Sequence, residues 1–270
     1  MARPSESFPV LLASGRKAFI PFFTGLFPDR ALFRELLLRA DDAGADWIEI
    51  GVPFSDPLAD GEVIRSADRC VLNSGFAFKK LLEELNFLKK RLRAGFILMA
   101  YFNTILQESP ADMGRMLAEA GIQGLIVPDL PLEESAPWEE CFDRAGVDLI
   151  PLVAPTTSKQ RMHEAGRRKG GFIYLVSLTG VTGMREHLPR GLSEYVLSVR
   201  KQTDKPLCIG FGISTPLQAK KVGLLCDGVI VGSALIHFFL GKEKDFSALR
   251  RASSLMKNIR KALDGLGNGV

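Results

Sequence analysis

Short apolar runs, four to six residues long, recur at 18–23, 47–51, 96–101, 124–128, 149–153, 172–176, 207–211 and 228–231. They are continuous rather than alternating, which is the signature of parallel strands covered on both faces. Between them the spacing changes to that of amphipathic helices, as in Leu81, Leu82, Leu85, Leu88 and Leu92 with Lys and Glu interleaved. Asp29, Ser135, Ser158 and Thr215 stand where helix N-caps belong. Eight strand–helix alternations predict an α/β fold: a single eight-stranded parallel (β/α) TIM barrel, one domain over 1–270. An extra N-terminal helix is expected near 5–14 and a closing helix near 246–263. An open doubly wound sheet typically has fewer strands and an early glycine-rich fingerprint, and no such fingerprint follows the first strand here.

Composition narrows the partners. A formal net charge of +4 over 270 residues suits anionic metabolites, and no dense basic stripe points to nucleic acid. No apolar stretch approaches the roughly 18 residues of a membrane span, and the first residues lack the order of a signal peptide. Cys70, Cys141, Cys208 and Cys226 have no CxxC spacing, which argues against a zinc site or a disulfide framework. A reduced, cytoplasmic protein is expected.

In a barrel of this kind chemistry belongs at the C-terminal ends of the strands. There, Glu49 stands between Ile48 and Ile50 in the second run. An acid on a buried strand is costly unless paired or functional, and no strand-end Lys or Arg is available to pair with it. Burial also raises a carboxyl pKa towards the range useful for general acid–base work. Asp56 and Asp60 follow in a Pro- and Gly-rich loop, where each alone reads as a turn residue. His163, His187 and His237 are scattered, so an imidazole metal site is not expected. With no strand-end Lys, a Schiff base is not expected either.

Three glycine turns, at 180–183, 210–214 and 231–234, follow the sixth, seventh and eighth runs, where barrels bind phosphate on backbone N–H groups. The stretch 177–191 is long for a connection, as lids are. Phe22, Met99, Tyr174 and Phe211 at strand ends fit either a flat apolar pocket or the barrel core.

The segment Glu49-Ile50-Gly51-Val52-Pro53-Phe54-Ser55-Asp56-Pro57-Leu58-Ala59-Asp60-Gly61 resembles the signature of tryptophan synthase α subunits. So do Pro21-Phe22, Pro128-Asp129-Leu130-Pro131, Gly180-Val181-Thr182-Gly183, Gly210-Phe211-Gly212-Ile213-Ser214 and Gly232-Ser233-Ala234. The resemblance implies retro-aldol cleavage of indole-3-glycerol phosphate to indole and glyceraldehyde 3-phosphate. Glu49 and Asp60 match the family's catalytic acids. Thr182, Gly183, Gly212, Gly232 and Ser233 match substrate positions around the phosphate, and Phe22, Tyr174 and Phe211 match the indole pocket. Asp56 matches the loop that faces a β subunit in an α2β2 heterotetramer. No cofactor is implied on this chain; pyridoxal phosphate belongs to that partner, which receives the indole. The chain departs from the family pattern at Leu26-Phe27-Pro28, where Gly-Asp-Pro is usual. It departs again at Glu62 for Pro, Arg65 for Gln and Thr104 for Pro.

Overall fold

The structure, a computed structural model, describes residues 2–176, 191–210, 212–241 and 246–266. After α1 (Pro4–Ala13), strands and helices alternate: β1 (Ala18–Thr24), α2 (Arg30–Asp42), β2 (Trp47–Gly51), then two helices, α3 (Glu62–Asn73) and α4 (Phe78–Leu88). The middle of the chain forms β3 (Gly95–Met99), α5 (Phe102–Ile105), α6 (Pro110–Ala120), β4 (Ile122–Ile126), a 3-10 turn (Leu132–Glu134) and α7 (Ala136–Ala145). It continues with β5 (Asp148–Leu149), β6 (Leu152–Val153), α8 (Lys159–Arg167), β7 (Ile173–Leu175) and α9 (Leu192–Arg200). The last elements are β8 (Leu207–Ile209), α10 (Pro216–Gly223), β9 (Gly228–Val231), α11 (Ser233–Ile236) and α12 (Phe246–Asp264).

All strand pairs are parallel, in the order β5-β4-β3-β2-β1-β9-β8-β7-β6. The two ends of this order, β5 and β6, are separated in the chain only by Ile150 and Pro151. Ile150 N–H donates to Leu125 O on one side (2.8 Å), and Tyr174 N–H donates to Pro151 O on the other (3.0 Å). Pro151 has no N–H to give, so the ladder changes partner there. The nine segments are thus eight barrel strands, the fifth interrupted by its proline, and the expected parallel barrel is found. Strand limits differ from the expected ones by a residue or two, chiefly because residues such as Ala100 and Pro128 continue past the last ladder pair.

Alternation sorts each strand. On β1, Ile20 and Phe22 share a face with Ala18; on β2, Trp47, Glu49 and Gly51 share the inward one. A Cβ on Gly51 would come within 2.6 Å of the Phe22 ring, and one on Gly124 would meet Ile150 and Ile97, so this face is the barrel interior. Ile48 and Ile50 therefore point to the helices, and on β2 it is Glu49 that turns its charge inward.

The expected N-terminal helix closes the end of the barrel opposite the strand C-termini. Phe8 is fully buried and stacks on Trp47 (centroids 4.9 Å) and against Phe172 (5.4 Å). Ser5 donates its N–H and hydroxyl to Asp148 (2.6 and 2.9 Å). Asp29, Ser158 and Thr215 cap their helices as expected, Thr215 with a reciprocal capping box to Gln218. Ser135 does not. Its backbone is αR and its hydroxyl donates to Leu132 O (2.8 Å), because the 3-10 turn runs straight into α7. Among the described residues no helix is long and apolar enough to cross a membrane.

Candidate active site

Glu49 lies midway along β2, in register with Phe22 on β1 and Ile97 on β3, and is 0 % exposed. Neither carboxyl oxygen has a hydrogen-bond partner among the described residues. Burial, and then the negative charge of Asp60, push its carboxyl up to about 8. The group is therefore mostly protonated at neutral pH, yet it ionises within reach of it.

Asp60 ends the loop that leaves β2. Burial raises its carboxyl; the Tyr101 hydroxyl and the Arg65 guanidinium pull it back. Tyr101 donates its hydroxyl to Asp60 Oδ2 (2.9 Å) and accepts the Ala59 N–H (3.0 Å), while its ring stacks on Phe54 (4.8 Å, 17°). One side chain just past β3 thus pins both ends of the loop from β2. The sequence reading missed Tyr101 because the apolar run 96–101 took it into the strand.

Space for Phe22 comes from missing side chains. A Cβ on Gly232 would lie 2.9 Å from its ring, and the one on Gly51 2.6 Å. Tyr174, buried on β7, fills the room over Gly210 in the same way, its hydroxyl 2.3 Å from where a Cβ would be. Burial first, then the Glu49 and Asp60 charges, hold the Tyr174 hydroxyl well above its usual range. Phe22, Glu49, Asp60 and Tyr174 therefore share one interior space. Gly212 has a φ of +44°, which favours glycine, and Ser233 opens α11 directly after Gly232. Thr182, Gly183 and Phe211, and the long connection at 177–190, lie outside the described residues.

Asp56 stands apart from this space: it is exposed, and its carboxylate accepts the Ser55 hydroxyl (2.5 Å). Leu58, two residues on, is 96 % exposed. Of the departures from the family pattern, Phe27 is a buried core residue after Leu26 at φ 65°. Two others answer each other: Glu62 pairs with Arg65 (3.0 Å) as well as Arg69 (2.6 Å) at the start of α3. Among the described residues no cluster of three His, Cys, Asp or Glu could hold a metal ion.

A closed parallel barrel with a buried carboxyl at its centre that no described residue pairs has the build of a β/α-barrel enzyme working by acid–base chemistry. The family model described as tryptophan synthase alpha chain matches residues 8–264. The tryptophan synthase alpha chain of Solidesulfovibrio magneticus is 48% identical over 83% of this chain and 88% of its own. That of Synechococcus elongatus is 41% identical over 98% of each. Among solved structures, tryptophan synthase subunit alpha from Legionella pneumophila superposes with a TM-score of 0.88 at 33% identity, over 98% of this chain and 99% of that one. A Mycobacterium tuberculosis tryptophan synthase chain gives 0.88 at 30%, over 97% and 98%. The chain belongs to the tryptophan synthase alpha chain family, the lyases that cleave indole-3-glycerol phosphate.

Proposed function

We propose that Glu49 and Asp60 carry this cleavage. Glu49, protonated at neutral pH, gives its proton to C3 of the indole, which turns the ring into an electron sink. The resulting carboxylate takes the proton of the glycerol hydroxyl next to the ring. The bond between ring and side chain then breaks, its electron pair returning to the indole, and glyceraldehyde 3-phosphate leaves as the aldehyde. Asp60 accepts the indole N–H as positive charge gathers there, a preorganised electrostatic contribution. The observation that carries the reading is the Glu49 carboxyl itself: buried, unpartnered among the described residues and held near 8.

Phe22 and Tyr174, with Phe211, would take the indole faces. Gly212, Gly232 and Ser233, with Thr182 and Gly183, would take the phosphate. The positive φ at Gly212 and the bare backbone at Gly232 support the second assignment. Asp56, with the exposed Leu58 beside it, would face a β subunit in an α2β2 assembly. That partner holds the pyridoxal phosphate and receives the indole, and the reading places no cofactor on this chain.

Steady-state indole release by Glu49→Gln and Asp60→Asn tests the assignment. Glu49→Gln keeps the size of the side chain but cannot shuttle protons. Turnover should fall roughly 100-fold or more, with glycerol phosphate bound as in wild type. Activity within a few-fold of wild type would make Glu49 a structural acid.

A further inference from the structure

Helix α3 carries a second buried acid that the reaction above does not use. Asp68 is 3 % exposed and sits on the stripe of α3 that also buries Ile64, Ala67 and Val71. Its carboxyl meets the backbone N–H of Phe54 and lies within electrostatic reach of Asp60 and Tyr101. Phe54 stacks on Tyr101, and Tyr101 holds Asp60. Asp68 therefore backs the start of the β2–α3 loop and also its catalytic end.

Among the described residues no cation acts on it. β1 and α11, the elements that pack most against α3, contribute no ionisable side chain in Ala18–Thr24 or Ser233–Ile236. Among the described residues the titratable groups that act on it are Asp60 and Tyr101, and the nearest cation along its own helix, Arg65, is paired with Glu62. A buried acid without a cation costs stability, and an uncharged residue could fill this place on the stripe more cheaply.

We propose that Asp68 is a positioning residue for the cleavage: it fastens the loop from β2 and sets a second negative charge behind Asp60. The inference rests on Asp60 receiving the indole N–H. Positive charge collects on the ring as C3 is protonated, and a fixed anion in a dry site attracts it more strongly than one in water. Burial, and then the Asp60 charge, push the Asp68 carboxyl to about 7, with the Phe54 N–H and then the Thr24 hydroxyl opposing them. The second charge is thus absent in mild acid and present in mild base.

The two roles separate by substitution in the full chain. Asp68→Asn keeps the size and an acceptor for the Phe54 N–H but removes the charge; Asp68→Ala removes both. The measurement is kcat and KM for indole release between pH 5.5 and 8.5. For Asp68→Asn the ratio of wild-type to variant kcat should climb from near one at pH 6 to about five- to tenfold at pH 8, with KM within about twofold. Asp68→Ala should lose turnover at every pH. An Asp68→Asn profile that follows wild type throughout overturns the inference. Thermal melts and binding of glycerol phosphate guard against misfolding: Asp68→Asn should melt no lower than wild type at pH 8, and a lower melt with kcat and KM falling together would make Asp68 a fold residue and overturn its role. Asp60→Asn is the control, since its retained activity would remove the underlying reading rather than this one.

Discussion

At the scale of single residues, the inward turn of Glu49 carries a cost that stability measurements can read. Its folded carboxyl titrates near 8, against 4.5 for an ordinary glutamate. Below about pH 4.5 both the folded and unfolded chains hold the proton, and the full stability is present. As pH rises towards 8 the unfolded chain releases the proton while the folded one retains it, so this contribution is lost progressively. Glu49→Gln should therefore melt higher than wild type by a margin that widens between pH 5 and pH 9, reaching a few kcal/mol at most (about 1.4 per pKa unit). A margin independent of pH would contradict the buried, unpartnered carboxyl. This residue was legible in the sequence because an acid between two isoleucines stands out on an apolar run. Tyr101 was not, since an aromatic at the end of a strand looks like core. Asp68 left a signal that went unread: an acid at helical spacing with Ile64, Ala67 and Val71, on a stripe that is otherwise apolar.

At the scale of elements, the strands were legible because each is buried on both faces and so reads as an unbroken apolar run. What the pattern did not show is where a ladder pauses. Pro151 divides the fifth strand, since a residue without an N–H cannot donate to its neighbour. Caps were legible where an extended residue precedes the helix, as at Asp29 and Thr215. Ser135 misled because the 3-10 turn before it supplies the helical entry. Ser109, which caps α6 through Asp112 N–H, was passed over although Pro110 follows it at the first helical position. Helix α1 offers the sharpest test at this scale. If it seals the barrel floor, Phe8→Ala leaves a hole between Trp47 and Phe172 and should cost about 3–5 kcal/mol in denaturant unfolding. A loss under about 1 kcal/mol would mean that α1 merely rests on the surface.

At the scale of the whole molecule, we propose that residues 1–270 form one domain. Arg3 and Ser5 tie α1 to Asp143 and Asp148, and Arg260 on α12 reaches Lys17 O and Asp46. In the proposed function the barrel uses two surfaces, the interior that holds Glu49 and the exposed loop with Asp56 and Leu58. An exposed acid bonded, among the described residues, to its neighbour's hydroxyl adds little to stability. Asp56→Ala should leave the melting temperature and the activity of the isolated chain unchanged while sharply reducing stimulation by an added β subunit. Truncating one member of a desolvated charge pair costs about 2–5 kcal/mol. Superimposable titrations for wild type and variant would remove Asp56 from the interface.

The proposed cleavage turns on one proton, the one that Glu49 would give to C3 of the indole. Hydrogen exchange at that carbon isolates it from bond cleavage, product release and partner effects. Indole incubated in D2O with the full-length chain and glycerol phosphate should gain deuterium at C3, followed by proton NMR. Wild type should accelerate this uptake well above the uncatalysed rate, and Glu49→Gln, folded and binding glycerol phosphate as before, should not. Uptake by Glu49→Gln at the wild-type rate would contradict the account, because another group would then be delivering the proton.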